Sequence, residues 1–233
     1  MGGAERLCLE LMKNLNKEIF SVKIIFLKEE RGGGLFLLDE LEKEGIPFVV
    51  IGKKTKLGII CLFKLFLTIK RERPHIVHTH IFSGDFYGRI TAKLAGVKNI
   101  VSTAHNIYFF EGKVKNFFKK ITAPLVDMNI AVSSAVKDYL ITNEMINEKK
   151  IKIIYNGVTP EKFLCKNREY EDKKPLIIGA VGRLTEQKGF NYLIEAIEKI
   201  KKFETVCFIA GDGEKRDDLQ KQISEKKDLK SEL

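Results

Sequence analysis

At 233 residues, 44% of them apolar, the chain is long enough for one large or two modest domains with a true core. No stretch reaches the roughly 18 uncharged apolar residues of a membrane span; the nearest, Leu57–Ile69, is short and carries Lys64, so it reads as a core helix. The formal charge of +10 is uneven: residues 1–160 hold 25 Lys and Arg against 16 Asp and Glu, and residues 161–233 hold 16 against 15. An excess of this kind suits nucleic acid, an anionic membrane surface, an anionic substrate, or a merely solvated Lys-rich face.

In chain order, Ala4–Leu15 reads as an amphipathic helix, with Leu7, Leu11 and Leu15 on one face and Cys8 and Met12 beside them. Val22–Leu27 follows as a strand and Phe36–Glu44 as a helix. Gly45-Ile46-Pro47 then punctuates the chain before the strand Phe48–Ile51. The next pairs are helix Gly58–Arg71 with strand Ile76–His80, helix Phe86–Ala95 with strand Ile100–Ala104, and helix Val114–Leu125 with strand Met128–Val132. Helix Ala135–Ile141 and strand Ile151–Tyr155 close this series before Asn156-Gly157. After a charged gap come strand Leu176–Val181, helix Gly189–Lys201, strand Val206–Ala210 and helix Glu214–Lys226. Alternating strands and helices predict parallel sheets with helices on both faces, and uninterrupted apolar strands suit that burial.

The gap at 161–175 divides an N-terminal domain, 1–160, from a C-terminal piece, 176–233. Two strands and two helices are too few for a complete domain of this class. The N-terminus enters a helix with no strand before it and has no apolar signal region. Cys8, Cys61, Cys165 and Cys207 are scattered without a CxxC, which predicts reduced, buried thiols and a cytoplasmic setting.

The stretch "AVGRLTEQKGF", 180–190, places Arg183 and Lys188 in the turn between a buried strand and a helix. Ligands of open parallel sheets bind at the carboxyl ends of strands, and a helix N-terminus there favours anions. Two fixed cations at that place suit a diphosphate; the plainer alternative is a solvated pair near a helix start. His78 and His80, two apart on a strand, share a face. With no third ligand at motif spacing, they read as structural histidines rather than a metal site. In "GDG", Asp212 reads as a turn residue, the alternative being a partner for a ribose hydroxyl.

Seven pieces, in order, resemble the family-4 retaining glycosyltransferases of the GT-B fold: "GGAERLCLELMKNL" (2–15), "RPHIVHTHIFSGDFYGRITAKLAGV" (73–97), "IVSTAHN" (100–106), "NIAVSSAVKDYL" (129–140), "IIYNGVTPEKF" (153–163), "IIGAVGRLTEQKGFNYLIEAI" (177–197) and "FIAGDGEKRDDL" (208–219). The resemblance implies a GT-B-like α/β fold of two Rossmann-like parallel-sheet domains, the second incomplete. It implies a nucleotide-diphosphate sugar donor, a glycan or lipid-linked acceptor, transfer with retention, no metal and no cofactor. Arg183 and Lys188 match the pair that holds the diphosphate, where fixed cations stabilise charge building on the leaving group. Gly2 and Gly3 match the loop that lets backbone approach the phosphates, Gly182 the close approach at the strand end, and His105 the residue near the donor sugar; the alternative for His105 is a satisfied loop histidine. The family's first strand and its later pair of glutamates have no counterpart here: Glu10 with Glu18, and Glu161 with Glu169, have the spacing but not the context. A truncated remnant that binds nucleotide sugar or an anionic surface without catalysis is therefore the alternative function.

One further segment bears on partners. In "IYFFEGKVKNFFKKITAPL", 107–125, Val114, Phe117, Phe118, Ile121 and Leu125 fall on one helical face. Lys113, Lys115, Lys119 and Lys120 lie around it, and Phe109 and Phe110 precede it. That pattern suits a helix lying on an anionic membrane surface, or one packed on the sheet. No recognised nucleic-acid module is present, so no nucleic-acid partner is expected.

Overall fold

The structure, a computed structural model, describes residues 3–27, 34–52, 58–107, 112–163, 175–200, 204–225 and 231–232. It divides into two compact units, Met1–Phe163 and Leu164–Leu233.

The first unit alternates helix and strand: α1 (Gly3–Asn14), β1 (Ile24–Phe26), α2 (Gly34–Lys43), β2 (Phe48–Val50), α3 (Ile59–Glu72), β3 (Ile76–His80), α4 (Ile81–Leu94), β4 (Asn99–Ala104), α5 (Lys113–Thr122), β5 (Met128–Ala131), α6 (Ser134–Thr142) and β6 (Ile151–Ile153). Every strand pair is parallel, but the strands form two sheets, β1–β2 and β3–β4–β5–β6. Leu9, Leu37, Leu41 and Ile46 bury α1 and α2 with Ile24, Phe26 and Phe48. Cys61, Leu65 and Ile69 of α3 pack with Ile25, Leu27, Val49 and Ile51, and also with Tyr87, Ala92 and Ile100. So α3 serves both sheets through its side chains.

Most element ends fall within a residue or two of the sequence reading, and two differences are informative. The helix expected from Phe86 begins at Ile81, directly after β3. Ser83-Gly84 imitates a turn signal; in fact the reversal happens at Ile81, whose φ of 63° is left-handed. A β-branched residue pays for that conformation with order 1–3 kcal/mol of strain. The helix expected to reach Leu125 ends at Thr122 and tightens into a 3-10 turn, Ala123–Leu125, because Pro124 has no N–H to donate.

The second unit comprises β7 (Leu176–Val181), α7 (Phe190–Glu198), β8 (Thr205–Ala210), α8 (Arg216–Ser224) and β9 (Ser231–Glu232), all strands parallel in the order β7–β8–β9. Three strands stand where two were expected; a two-residue strand in a charged segment has no apolar run to announce it. Ile194, Ile197, Cys207, Ile209 and Leu219 form the core with α7 and α8 on one face of the sheet. On β7 and β8, the alternate residues Ile177, Val181 and Phe208 are exposed.

Candidate active site

In the first unit the chemistry gathers at the carboxyl ends of β3 and β4. Parallel pairing sets His80 opposite Thr103, so His105, just past β4, reaches the same edge. His80 Nδ1 and His105 Nε2 are 2.9 Å apart, with the ring centroids 5.2 Å apart and the planes 30° apart, so the rings meet edge to edge. His78 lies one ring further back, 4.2 Å from His80, and its Nε2 meets Thr103 Oγ1 at 2.7 Å. The third imidazole that spacing alone did not supply is therefore present, and it pairs with His80. His78 is exposed, His80 is half-buried, and both belong to a contiguous imidazole row. Among the described residues, no group of three or more His, Cys, Asp or Glu is arranged to hold a metal ion.

Burial pushes His80 down to about 3, helped by the neighbouring imidazoles. His78 is also lowered, chiefly by loss of solvation, although part of its ring still meets water. His105 is lowered by burial against the upward pull of Asp85 and Glu5. Glu5 stands in the first turn of α1, so the start of that helix, with Gly3, lies in the electrostatic neighbourhood of His105. A Cβ on Gly3 would meet nothing within 4 Å. Gly2 lies outside the described residues.

Beneath the row is a buried polar layer that sequence reasoning missed. Asp85 Oδ1 accepts from Thr79 Oγ1 at 2.6 Å and from Ser102 Oγ at 2.5 Å. Arg89 donates to Ser102 at 2.7 Å and stands 3.3 Å from Asp85. These bonds tie α4 to β3 and β4. The available signal was an Asp and an Arg four apart, on one face of a helix. The same helix comes so close to the strand that a Cβ on Gly88 would lie 2.7 Å from Thr79 Cγ2.

In the second unit, Gly182 follows β7 and donates its N–H to Ala210 O at 3.0 Å. Leu184 is fully buried and pins the turn, donating to Asp212 O and accepting from Lys215 N. Glu186–Lys188 forms a 3-10 turn, Gly189 turns left-handed at φ 63°, and α7 begins at Phe190. Arg183 and Lys188 thus sit on the expected strand-to-helix turn, both exposed. Lys215 beside them pairs with Asp218 at 3.0 Å and Glu186 at 3.5 Å. Among the described residues neither Arg183 nor Lys188 forms an ion pair. Above Gly182 the space is partly filled: a Cβ there would lie 3.3 Å from the Phe190 ring and 3.9 Å from Lys188 Cδ, so side-chain packing already favours a glycine. Asp212 accepts from its neighbour Gly213 N at 2.8 Å, a turn role.

Residues 1–162 match Glycosyltransferase Family 4, and residues 163–230 match Glycosyl transferases group 1. The chain belongs to glycosyltransferase family 4. It is 29% identical over its whole length to the Escherichia coli UDP-Gal:alpha-D-GlcNAc-diphosphoundecaprenol alpha-1,3-galactosyltransferase, of which it covers 65%. Among solved structures it resembles a glycosyltransferase from Rickettsia africae (25% identity, TM-score 0.68, 99% of this chain and 64% of that one). It also resembles Anabaena HepE in complex with UDP-glucose (19% identity, TM-score 0.75, 100% of this chain and 65% of that one). The likeness to HepE places this family member in the GT-B fold. The chain spans just under two thirds of each of these three proteins.

Proposed function

We propose that this family member takes part in moving a sugar from a nucleotide diphosphate to an acceptor of cell-surface glycan synthesis, with retention and without a metal. The observation that carries the reading is the pair of exposed cations, Arg183 and Lys188, without ion-pair partners among the described residues, on the turn between β7 and α7. A departing diphosphate gathers negative charge on its terminal oxygens. Fixed guanidinium and ammonium groups favour that state over the bound donor. His105 is assigned to the donor sugar and Gly2, Gly3 and Gly182 to the phosphates, by the family resemblance. The E. coli relative is named for UDP-galactose and a diphosphoundecaprenol-linked acceptor, which supports a nucleotide-sugar donor and a lipid-linked acceptor here.

Calorimetry with UDP tests this reading. Arg183→Ala and Lys188→Ala should each lose about 1.5–3 kcal/mol of binding. Unchanged affinity in both variants removes the assignment.

A second observation concerns location. On α5, Val114, Phe117 and Ile121 are 68, 60 and 51% exposed, so that stripe is not spent on the core. Lys113 and Lys120 are exposed beside it. Phe118 instead turns inward to Phe86, at 5.0 Å, and Lys119 is buried 3.5 Å from Glu144. Peripheral contact with an anionic membrane surface, close to a lipid-linked acceptor, follows from this stripe and its charges. Phe109 and Phe110 lie outside the described residues.

A further inference from the structure

We propose that His80 is a positioning residue for His105: its Nδ1–H donates to His105 Nε2, which keeps the His105 proton on Nδ1 and leaves that N–H for the donor substrate. The proposal rests on the reading that His105 meets the donor sugar. It is carried by the 2.9 Å contact between the two nitrogens and by how unequally the two residues are held.

His80 is fixed on several sides. Its ring packs against that of His78, with centroids 4.2 Å apart and planes 35° apart. Its strand is locked one residue earlier, where Thr79 bonds Asp85 and packs on Gly88. One residue later the left-handed Ile81 sets the exit into α4. His105, in contrast, lies beyond the last ladder pair of β4, Ala104 with Ala131. Its ring direction therefore depends on the side chain it bonds.

Two neutral imidazoles at 2.9 Å share one proton between the facing nitrogens, so one ring donates and the other accepts. The tautomers are coupled: a proton on His80 Nδ1 excludes one on His105 Nε2 and places it on His105 Nδ1. Both rings are held neutral near pH 7, since burial lowers both. A sugar hydroxyl or a phosphate oxygen then meets a donor at His105 Nδ1, with no need for a charged imidazolium.

Long-range proton–nitrogen NMR on the 15N-histidine chain reads the tautomer directly. The parent should show His105 protonated at Nδ1 and bare at Nε2. His80→Phe should lose that preference. His80→Asn, whose amide nitrogen can take the place of Nδ1, should restore it. In the full protein, His80→Phe should lower kcat for donor hydrolysis about tenfold, as loss of an orienting partner does elsewhere, with KM little changed and Asn recovering most of it. An identical His105 tautomer in parent and His80→Phe, with both folded by their amide spectra, overturns the proposal. A parent with the expected tautomer that neither binds UDP nor hydrolyses UDP-sugars overturns the transferase reading instead.

Discussion

Between pH 6.5 and about 3, an unfolded chain holds a proton on residue 80 that the folded chain refuses. The folded value is depressed, so stability is full above 6.5 and is lost as the pH falls towards 3. The slope for this one group is about 1.4 kcal/mol per pH unit. His78 adds to it in the same direction, less strongly because its ring is partly in water. Denaturant midpoints measured from pH 7 to 4.5 should fall, and His80→Phe should flatten the fall. Equal slopes in the two proteins would show that His80 is solvated. Backbone contact sets a second expectation. A Cβ on Gly211 would stand 1.8 Å from Gly182 O, so Gly211→Ala must push apart the two turns after β7 and β8. A cost of about 1–3 kcal/mol is expected in a thermal melt, together with weaker UDP binding although no charge is removed. An unshifted melt would mean that the turns separate freely. At this scale Arg183 and Lys188 were legible because their place follows from an apolar run, a glycine and a helix start. The His80–His105 contact was not, since it joins residues 25 apart across neighbouring strands. Nor was the polar layer of Asp85, Arg89 and Ser102, whose burial only the packed fold reveals.

Elements were the most readable level. Apolar and β-branched runs located β1 to β8; even β7, whose alternate residues are exposed, is apolar throughout. The beginning of α4 was misread since a left-handed isoleucine, and not Ser83-Gly84, makes the reversal. On α5, periodicity identified the apolar face but could not say which residues the neighbouring α4 would claim. The structure gives Phe118 to Phe86 and leaves Val114, Phe117 and Ile121 in water. Lys113→Glu with Lys120→Glu should therefore abolish co-sedimentation with anionic vesicles at low salt, each Lys contributing about 1 kcal/mol near such a surface. Full retention by the double variant, or no binding by the parent, would make the stripe unrelated to membranes. Lys119 is unsuitable for this test, because its removal strands the buried Glu144, whose carboxyl is already pushed up by loss of solvation.

Across the whole molecule, parallel pairing in all three sheets keeps the candidate residues of each unit at strand carboxyl ends, the binding edge of this fold class. Among the described residues, α7 and α8 lie on one face of the second unit's sheet, and Ile177 and Phe208 stay 67 and 44% exposed on the other. The isolated chain should bind a hydrophobic dye and melt broadly, and Ile177→Thr with Phe208→Thr should reduce the dye signal. A sharp melt without dye binding would show that this face is covered in solution. The division of the first unit into two sheets reaches further. β1 and β2 bond to each other, and the strands of the larger sheet bond among themselves; α3 joins the two sets through side chains, an apolar cluster and the Glu72–Lys23 ion pair of 2.9 Å beside β1. Side-chain packing can slip where a ladder of backbone bonds must break in concert. Amide hydrogens of Ile24–Phe26 should then exchange with deuterium well before those of Asn99–Ala104, giving the first unit two clocks: a fast one for the small sheet and a slow one for the strands that carry the histidines.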